Sequence, residues 1–473
     1  MGVKKNFAYS AVLTCSGYVF VFITYPYVSR VLGVENIGIC NFVSSIVQYF
    51  LLFSTMGIMA VGTREVAKCN GNRERLSHCF SSLVTINLIF TVIVAIVYLL
   101  CIFLIPKLFE YRRLLYVGLL QIVMTPFLIE WFFKGIENFR YITLRSLFVK
   151  FLYVISVFLF VRKSEDYGIY FFLSCAVMVA NAGFNWLYKN NFIRFSFKKI
   201  SLKPYLKSVI ILGVYAILTS MYTTFNTAYL GFVCGNAEVG YYSTAMKLQS
   251  IILAVYTAFT GVMIPRMSSM IEHNQKEDIQ RLIYKSFDAL YVFAIPLVVF
   301  TMIYAPQIIR IVSGPGYEAA ITPMRIVMPL ILIIGIEQIL VLQILMPFKE
   351  DKAILINSIV GAFVGVCGNI ILVPLLKSEG SAMVSLISEV SVLLSANIYV
   401  NKVFGKTLYA KCLFKQSLIA VPILLILIFV SNRFSMVCSV LLGGIALILY
   451  WTVVQYYVTK DEVVISMIHK IKW

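Results

Sequence analysis

Acidic residues are what this sequence has least of. It holds 21 Asp and Glu against 40 Lys and Arg in 473 residues, and all charged residues together make up 13%. A soluble domain carries about 25%, so a soluble fold is excluded. Histidine is almost missing: His78, His273 and His469 all fall at the ends of apolar segments. They form no metal cluster, and none sits mid-membrane to catalyse acyl transfer. No C-x-x-C occurs among the ten cysteines at 15, 40, 69, 79, 101, 175, 234, 367, 412 and 438. Most lie inside apolar runs and read as small core residues, without a disulfide framework or metal site. There is no G-x-x-x-x-G-K-[ST], which excludes a P-loop ATPase. No long polar stretch interrupts the chain, so there is no outer loop of the kind a polysaccharide polymerase or membrane glycosyltransferase uses to carry catalytic residues. Lys4 and Lys5 precede an apolar run with no small-residue cleavage site, so that run reads as a first membrane helix, not a removed signal.

What is present is apolar length. Hydrophobic residues make up 60% and mean hydropathy is +0.90. A bilayer span needs about 20 apolar residues, and such runs recur from end to end. The pattern predicts an all-α polytopic membrane protein of fourteen helices, at 8–30, 37–62, 78–105, 114–133, 141–161, 167–188, 206–232, 239–265, 286–304, 325–346, 353–375, 381–401, 412–430 and 436–458. Loops on the side of the N-terminus then carry 28 Lys and Arg, and the opposite loops 10, with Lys150 and Lys247 inside helices. Positive loops stay in the cytoplasm, so both termini are expected there. Trp131, Trp186, Trp451 and Trp473 fall toward that side, as an interfacial belt would have them. The net charge of +19 is accounted for by these loops and calls for no nucleic acid.

The polar stretch 189–207 holds six Lys and Arg and no acid, with six apolar segments before it and eight after. The two sides repeat one another. Gly38 opens helix 2 and Arg64 lies 26 residues on; Gly240 opens helix 8 and Arg266 lies 26 residues on, an offset of 202. Pro126 and Pro329 match at 203. This predicts a six-helix lobe over 1–188, a basic cytoplasmic linker over 189–207, a second six-helix lobe over 208–402, and a terminal helix pair with a tail over 403–473. An even number of helices keeps the two lobes in one orientation, and transporters built from such parallel repeats bind substrate between them. Pro26, Pro126, Pro296 and Pro329 should bend their helices.

Acids inside spans are expensive and functional by default. Glu337 and Glu389 fall within helices 10 and 12, where a carboxyl can hold a proton at ordinary pH. They are expected to serve coupling or gating, or to partner a lysine or a backbone amide. Glu130 joins them as a candidate, although Lys134 four residues on offers it a plain i,i+4 pair.

Tyr27-Val-Ser-Arg30-Val-Leu32-Gly33-Val-Glu35-Asn-Ile-Gly38 with Gly62-Thr-Arg64-Glu65, then Asn226…Leu230-Gly231…Glu238-Val-Gly240-Tyr241-Tyr242-Ser243 with Pro265-Arg266, and Asn369-Ile-Ile-Leu-Val-Pro374…Gly380-Ser-Ala382…Ser388-Glu389, resemble the polysaccharide transport family over nearly the whole chain. These are the O-antigen and capsule flippases of the multidrug/oligosaccharidyl-lipid/polysaccharide exporter superfamily. The resemblance implies translocation of an undecaprenyl-pyrophosphate-linked oligosaccharide across the bacterial inner membrane, without a cofactor and alongside polymerase and chain-length proteins. A small-molecule or drug exporter of the same fold is the alternative. The resemblance leaves proton, sodium and downhill-driven transport open, and Asn226 stands where relatives often have an acid. A pyrophosphate needs cations, and Arg30, Lys150 and Lys247 are the candidate headgroup contacts. Each also has a plainer reading, Arg30 as an interfacial anchor and the lysines as members of ion pairs. The topology predicts that a cysteine placed at Lys203 is labelled by a membrane-impermeant maleimide only after the membrane is opened. Labelling in intact cells would contradict it.

Overall fold

The computed structural model describes residues 3–69, 72–193, 195, 200–272, 276–405 and 410–458. Every element among them is helical. The chain divides into two compact units, Met1–Gly240 and Tyr241–Trp473.

The first unit contains α1 (Val3–Thr55), α2 (Ile58–Lys68), α3 (Arg73–Leu104), α4 (Pro106–Glu110), α5 (Arg112–Leu128), α6 (Glu130–Gly135), α7 (Phe139–Phe160), α8 (Tyr167–Tyr188), α9 (Lys203–Thr223) and α10 (Phe225–Val233). At about 1.5 Å per residue α1 is far too long for one crossing. It breaks at Gly33, whose φ of 76° is open to glycine at no steric cost, and gives two spans. The first arm runs parallel to α7, since Tyr9 meets Thr143, Ser16 meets Lys150 and Tyr27 meets Val161. The second arm runs parallel to α5 and antiparallel to α3; Ser54, Thr125 and Thr91 form a closed triangle of hydroxyls at 2.7–2.9 Å. Several other hydroxyls in the spans bond back to their own helix, as Ser29 does to the Tyr25 carbonyl at 2.8 Å, because lipid offers no partner. Asn72 caps α3 and Asn138 caps α7, and the Asp166 carboxylate, accepting from the backbone N–H of Arg162 and Lys163, turns the chain into α8.

The repeated glycines meet. A Cβ on Gly38 would lie 1.8 Å from the Asn236 carbonyl oxygen, and one on Gly240 would lie 2.3 Å from the Val34 carbonyl oxygen. Positions 34 and 236, like 38 and 240, are 202 apart, so the contact is reciprocal, as a two-fold relation between the segments requires.

The second unit contains α11 (Asn236–Glu272), which begins at the boundary, then α12 (Lys276–Ile303), α13 (Ala305–Ser313), α14 (Ile321–Val327), α15 (Leu330–Gln338), a π-helical segment (Ile339–Leu345), α16 (Asp351–Val403), α17 (Ala410–Arg433) and α18 (Met436–Val453). α16 is two antiparallel spans joined at Lys377, whose φ of 51° and ψ of −126° are not helical. Ser395 bonds Asn357 at 2.7 Å, Gly368 faces Val384, and Gly380 faces Leu372. These pairs close symmetrically about Leu376, as a hairpin must. α12 and α17 are joined by a Cys412–Asp288 hydrogen bond of 3.1 Å, and Gln416 of α17 forms a reciprocal amide pair with Gln455 in the π-helical segment (Val454–Val458) that follows α18.

Eleven helical stretches among the described residues are long and apolar enough to cross a membrane. Two of them, 9–68 and 351–403, are the doubled spans just described. The chain is therefore a multi-pass membrane protein, and all fourteen apolar runs lie in helical segments. Two expectations are corrected. Trp131 and Trp451 are buried and stand in helix packing, not in an interfacial belt; Trp131 lies against Phe80 and Phe132. Trp473, His273 and His469 lie outside the described residues, as do Arg194 and Ser196–Lys199 of the basic stretch. All ten cysteines are free, but Cys15 and Cys438 are exposed rather than core residues. The hairpin predicts that Gly380→Val, whose Cβ would sit 2.5 Å from the Leu372 carbonyl oxygen, destabilises the protein by roughly 1–3 kcal/mol. Thermal unfolding in detergent measures it.

Candidate functional site

Each unit holds one concentration of ionisable groups inside its spans. In the first unit it grows from a helix break. Pro126 lies in the last turn of α5, and Ile129 follows with φ 28° and ψ 32°, which ends the helix and starts α6 at Glu130. Breaking a helix inside a membrane frees backbone carbonyls that must be satisfied within the protein. Asn185 of α8 donates its side-chain amide to the Leu128 carbonyl. Its amide oxygen accepts from Nη1 of Arg145. Arg145 is 6% exposed; its Nη2 donates to Glu130 Oε1 at 2.6 Å and to Ser146 Oγ at 2.9 Å. Lys150, one turn and a half further along α7, donates to Ser16 Oγ at 3.2 Å and lies within the field of the Glu130 carboxylate. Two cations thus share one acid.

This corrects the reading of Glu130 as the partner of Lys134. The acid pairs with Arg145, because the left-handed backbone at Ile129 starts a new helix there, while Lys134 extends to the Met59 sulfur at 4.0 Å. Arg145 is not among the residues singled out from the sequence; its position inside the apolar run 141–161 was the signal available for it. Arg30, at the far end of the first arm of α1, is exposed and is not part of this cluster.

In the second unit the carboxyls of Glu337 of α15 and Glu389 of the second arm of α16 lie close enough to interact. Their surroundings are polar. Gln338 donates to Thr257 at 3.0 Å, and the Tyr242 and Ser385 hydroxyls lie 2.8 Å apart, one turn before Glu389. The π-helical segment begins two residues after Glu337, at Ile339, and such turns are frequent at functional sites. Gln343 within it is fully buried with no hydrogen-bond partner for either amide atom. Lys247 is half-buried in α11, and Asn226 is fully buried at the start of α10, just past the break at Thr224.

The fold is shared with solved structures. "Lipid II flippase MurJ, inward closed conformation" matches with a TM-score of 0.72 at 14% identity, over 96% of this chain and 98% of that one. An inward-facing multidrug resistance MATE family transporter of the MOP superfamily matches with a TM-score of 0.61 at 12% identity, over 85% and 96%. Two curated relatives carry the name "Putative O-antigen transporter". The one from Escherichia coli (strain K12) is 24% identical over 408 residues, covering 82% of this chain and 94% of the relative. The one from Shigella dysenteriae is 23% identical over 411 residues, covering 83% and 98%. The fold and its buried charges thus define a multi-pass membrane protein of the MurJ and MATE architecture. The chain belongs to the polysaccharide biosynthesis protein family, whose model matches residues 3–271.

The first cluster predicts a stability experiment. Glu130→Gln leaves Arg145 buried without its counterion and is expected to cost about 3–5 kcal/mol. The double change Glu130→Gln with Arg145→Met removes both charges and should recover most of it. Thermal unfolding in detergent reads both, and equal stability of Glu130→Gln and the parent would contradict the pairing.

Proposed function

We propose that the chain is a flippase for an undecaprenyl-pyrophosphate-linked oligosaccharide repeat unit in the bacterial inner membrane, serving O-antigen or capsular polysaccharide assembly. It acts as a transporter and not as an enzyme. The observation that carries this reading is similarity along nearly the full length of two O-antigen transporters, in a chain with the MurJ fold. The reciprocal contact between segments 34–38 and 236–240 supports two parallel repeats, with lobes over 1–188 and 208–402 that rock about a substrate site, and both termini in the cytoplasm. Polymerase and chain-length proteins of the same pathway would receive the translocated unit.

The chemistry of the task is moving a doubly phosphorylated headgroup through hydrocarbon. Two cations against one acid around Glu130 leave a positive surplus in the first unit, so Lys150 is available to an anionic headgroup. Lys247 and Arg30 are the further headgroup contacts. The Glu337–Glu389 pair supplies a proton that can be released or exchanged as the second unit changes conformation, which makes H+ the coupling ion favoured here over Na+.

A strain lacking this chain should accumulate lipid-linked repeat units on the cytoplasmic face and lose surface glycan, and the chain should restore both. Restored drug resistance with no change in glycan would favour the exporter reading. Within the restored strain Lys247→Arg should keep part of the transport. Lys247→Ala should lower it at least tenfold, since a hydrogen bond to a charged group contributes roughly 1.5–3 kcal/mol. Glu337→Gln and Glu389→Gln should each fold and should flatten the pH dependence of transport, because Gln keeps the hydrogen-bond contact and cannot exchange a proton. An unchanged pH profile in both variants rules the pair out as the carrier.

A further inference from the structure

A groove of about 520 Å³ opens between α7 and α8 on the flank of the first unit, and Arg145 forms part of its wall. Its polar end lies at the start of α7, beside Asn138 and the exposed Arg140. Its middle is walled by Tyr141 and Tyr188, stacked at 3.9 Å between ring centroids and 15° between planes. Its far end is apolar: Leu144 and Phe148 are each 53% exposed, and Phe148 meets Phe184 edge to face. No acid lines it. Arg145, more than nine-tenths buried, lies with its guanidinium carbon 5.7 Å from the Tyr141 ring, and both residues line the groove.

We propose that this groove holds one anionic phospholipid of the surrounding bilayer, with its phosphodiester at Arg140 and the α7 N-terminus and one acyl chain along Leu144, Phe148 and Phe184. Five observations converge on that occupant. The groove is amphiphilic in the direction a lipid is. Arg140 and Phe148 are eight residues apart, about 12 Å along a helix, within the roughly 15 Å of hydrocarbon that one leaflet of a 30 Å core provides. The exposed side chains of α7 continue as Phe151, Leu152 and Ile155, an unbroken apolar face on a membrane-crossing helix, which only lipid chains can cover. The polar end combines a cation with the positive end of a helix dipole, an arrangement that is repulsive when empty and favourable around a phosphate. The volume is that of a drug-sized ligand, enough for a phosphoglycerol headgroup and the upper part of one chain and too small for a glycan of several sugars. The inference does not depend on what the protein transports.

Native mass spectrometry of the purified full chain in detergent tests it, titrating phosphatidylglycerol and phosphatidylcholine of identical chains. The parent should retain one phosphatidylglycerol about fivefold more tightly than phosphatidylcholine, the size expected for a single Arg at an anionic headgroup. Arg140→Ala should remove that preference without changing the phosphatidylcholine affinity, and Arg140→Lys should keep most of it. Equal retention of the two lipids by the parent overturns the proposal, as does a preference that survives Arg140→Ala. Displacement by chainless glycerol phosphate would reduce the site to a free-phosphate site and overturn it too. So would undecaprenyl phosphate displacing phosphatidylglycerol at equal concentration, because the groove would then belong to the carrier lipid.

Discussion

A membrane interior offers no partner to a charge or a broken helix end, and most of what is specific in this structure answers that constraint. An ionised side chain at the bilayer centre costs about 2.5–3.5 kcal/mol on insertion scales. The break at Ile129 releases the Leu128 carbonyl, Asn185 satisfies it, Arg145 satisfies Asn185, and Glu130 neutralises Arg145. Removing any link leaves its neighbour stranded. The hydroxyl triangle of Ser54, Thr91 and Thr125 is the uncharged version of the same solution.

The exceptions to full satisfaction mark where the molecule has work to do. Glu337 and Glu389 are acids placed close together inside membrane spans, where two ionised carboxylates would repel each other. Beside them, Gln343 leaves both amide atoms without partners in a π-helical segment. An apolar residue at that position would be less costly to bury, so the amide is better explained by another arrangement of the π segment than by this one. Breaks in apolar helices, as at Thr224 between α9 and α10, are a usual means by which transporters place polar groups and hinges together.

The architecture was legible in the sequence because twenty-residue apolar runs carry an unambiguous message. Gly33, Gly38 and Gly240 could be singled out because only glycine tolerates a left-handed turn or a backbone approach as close as theirs. The acids were legible as exceptional residues, but their partners were not. Glu337 and Glu389 are 52 residues apart, and nothing in either segment says that they share a face. Glu130 had a nearby lysine in its own helix, and the local pair concealed the one with Arg145. Positive charge misled in the same way. Arg145 resembles the loop residue Arg140 in chemistry and position, and only burial separates a loop cation from a structural one. Tryptophan location likewise followed a statistical preference that packing against Phe80 and Phe132 overrides.

The proposed function rests on charge placed inside two packed units. In that proposal Lys150 meets an anionic headgroup, the Glu337–Glu389 pair exchanges a proton, and the segments joined by the reciprocal glycine contact separate and rejoin. The most direct measurement of this account reconstitutes the purified full chain in proteoliposomes with an undecaprenyl-pyrophosphate-linked oligosaccharide loaded in the outer leaflet. Loss of its glycan from access to an external glycosidase is then followed with and without a pH gradient. The account predicts protein-dependent loss that the gradient accelerates. Glycan that stays fully accessible, beside a control flippase that is active in the same vesicles, would contradict it.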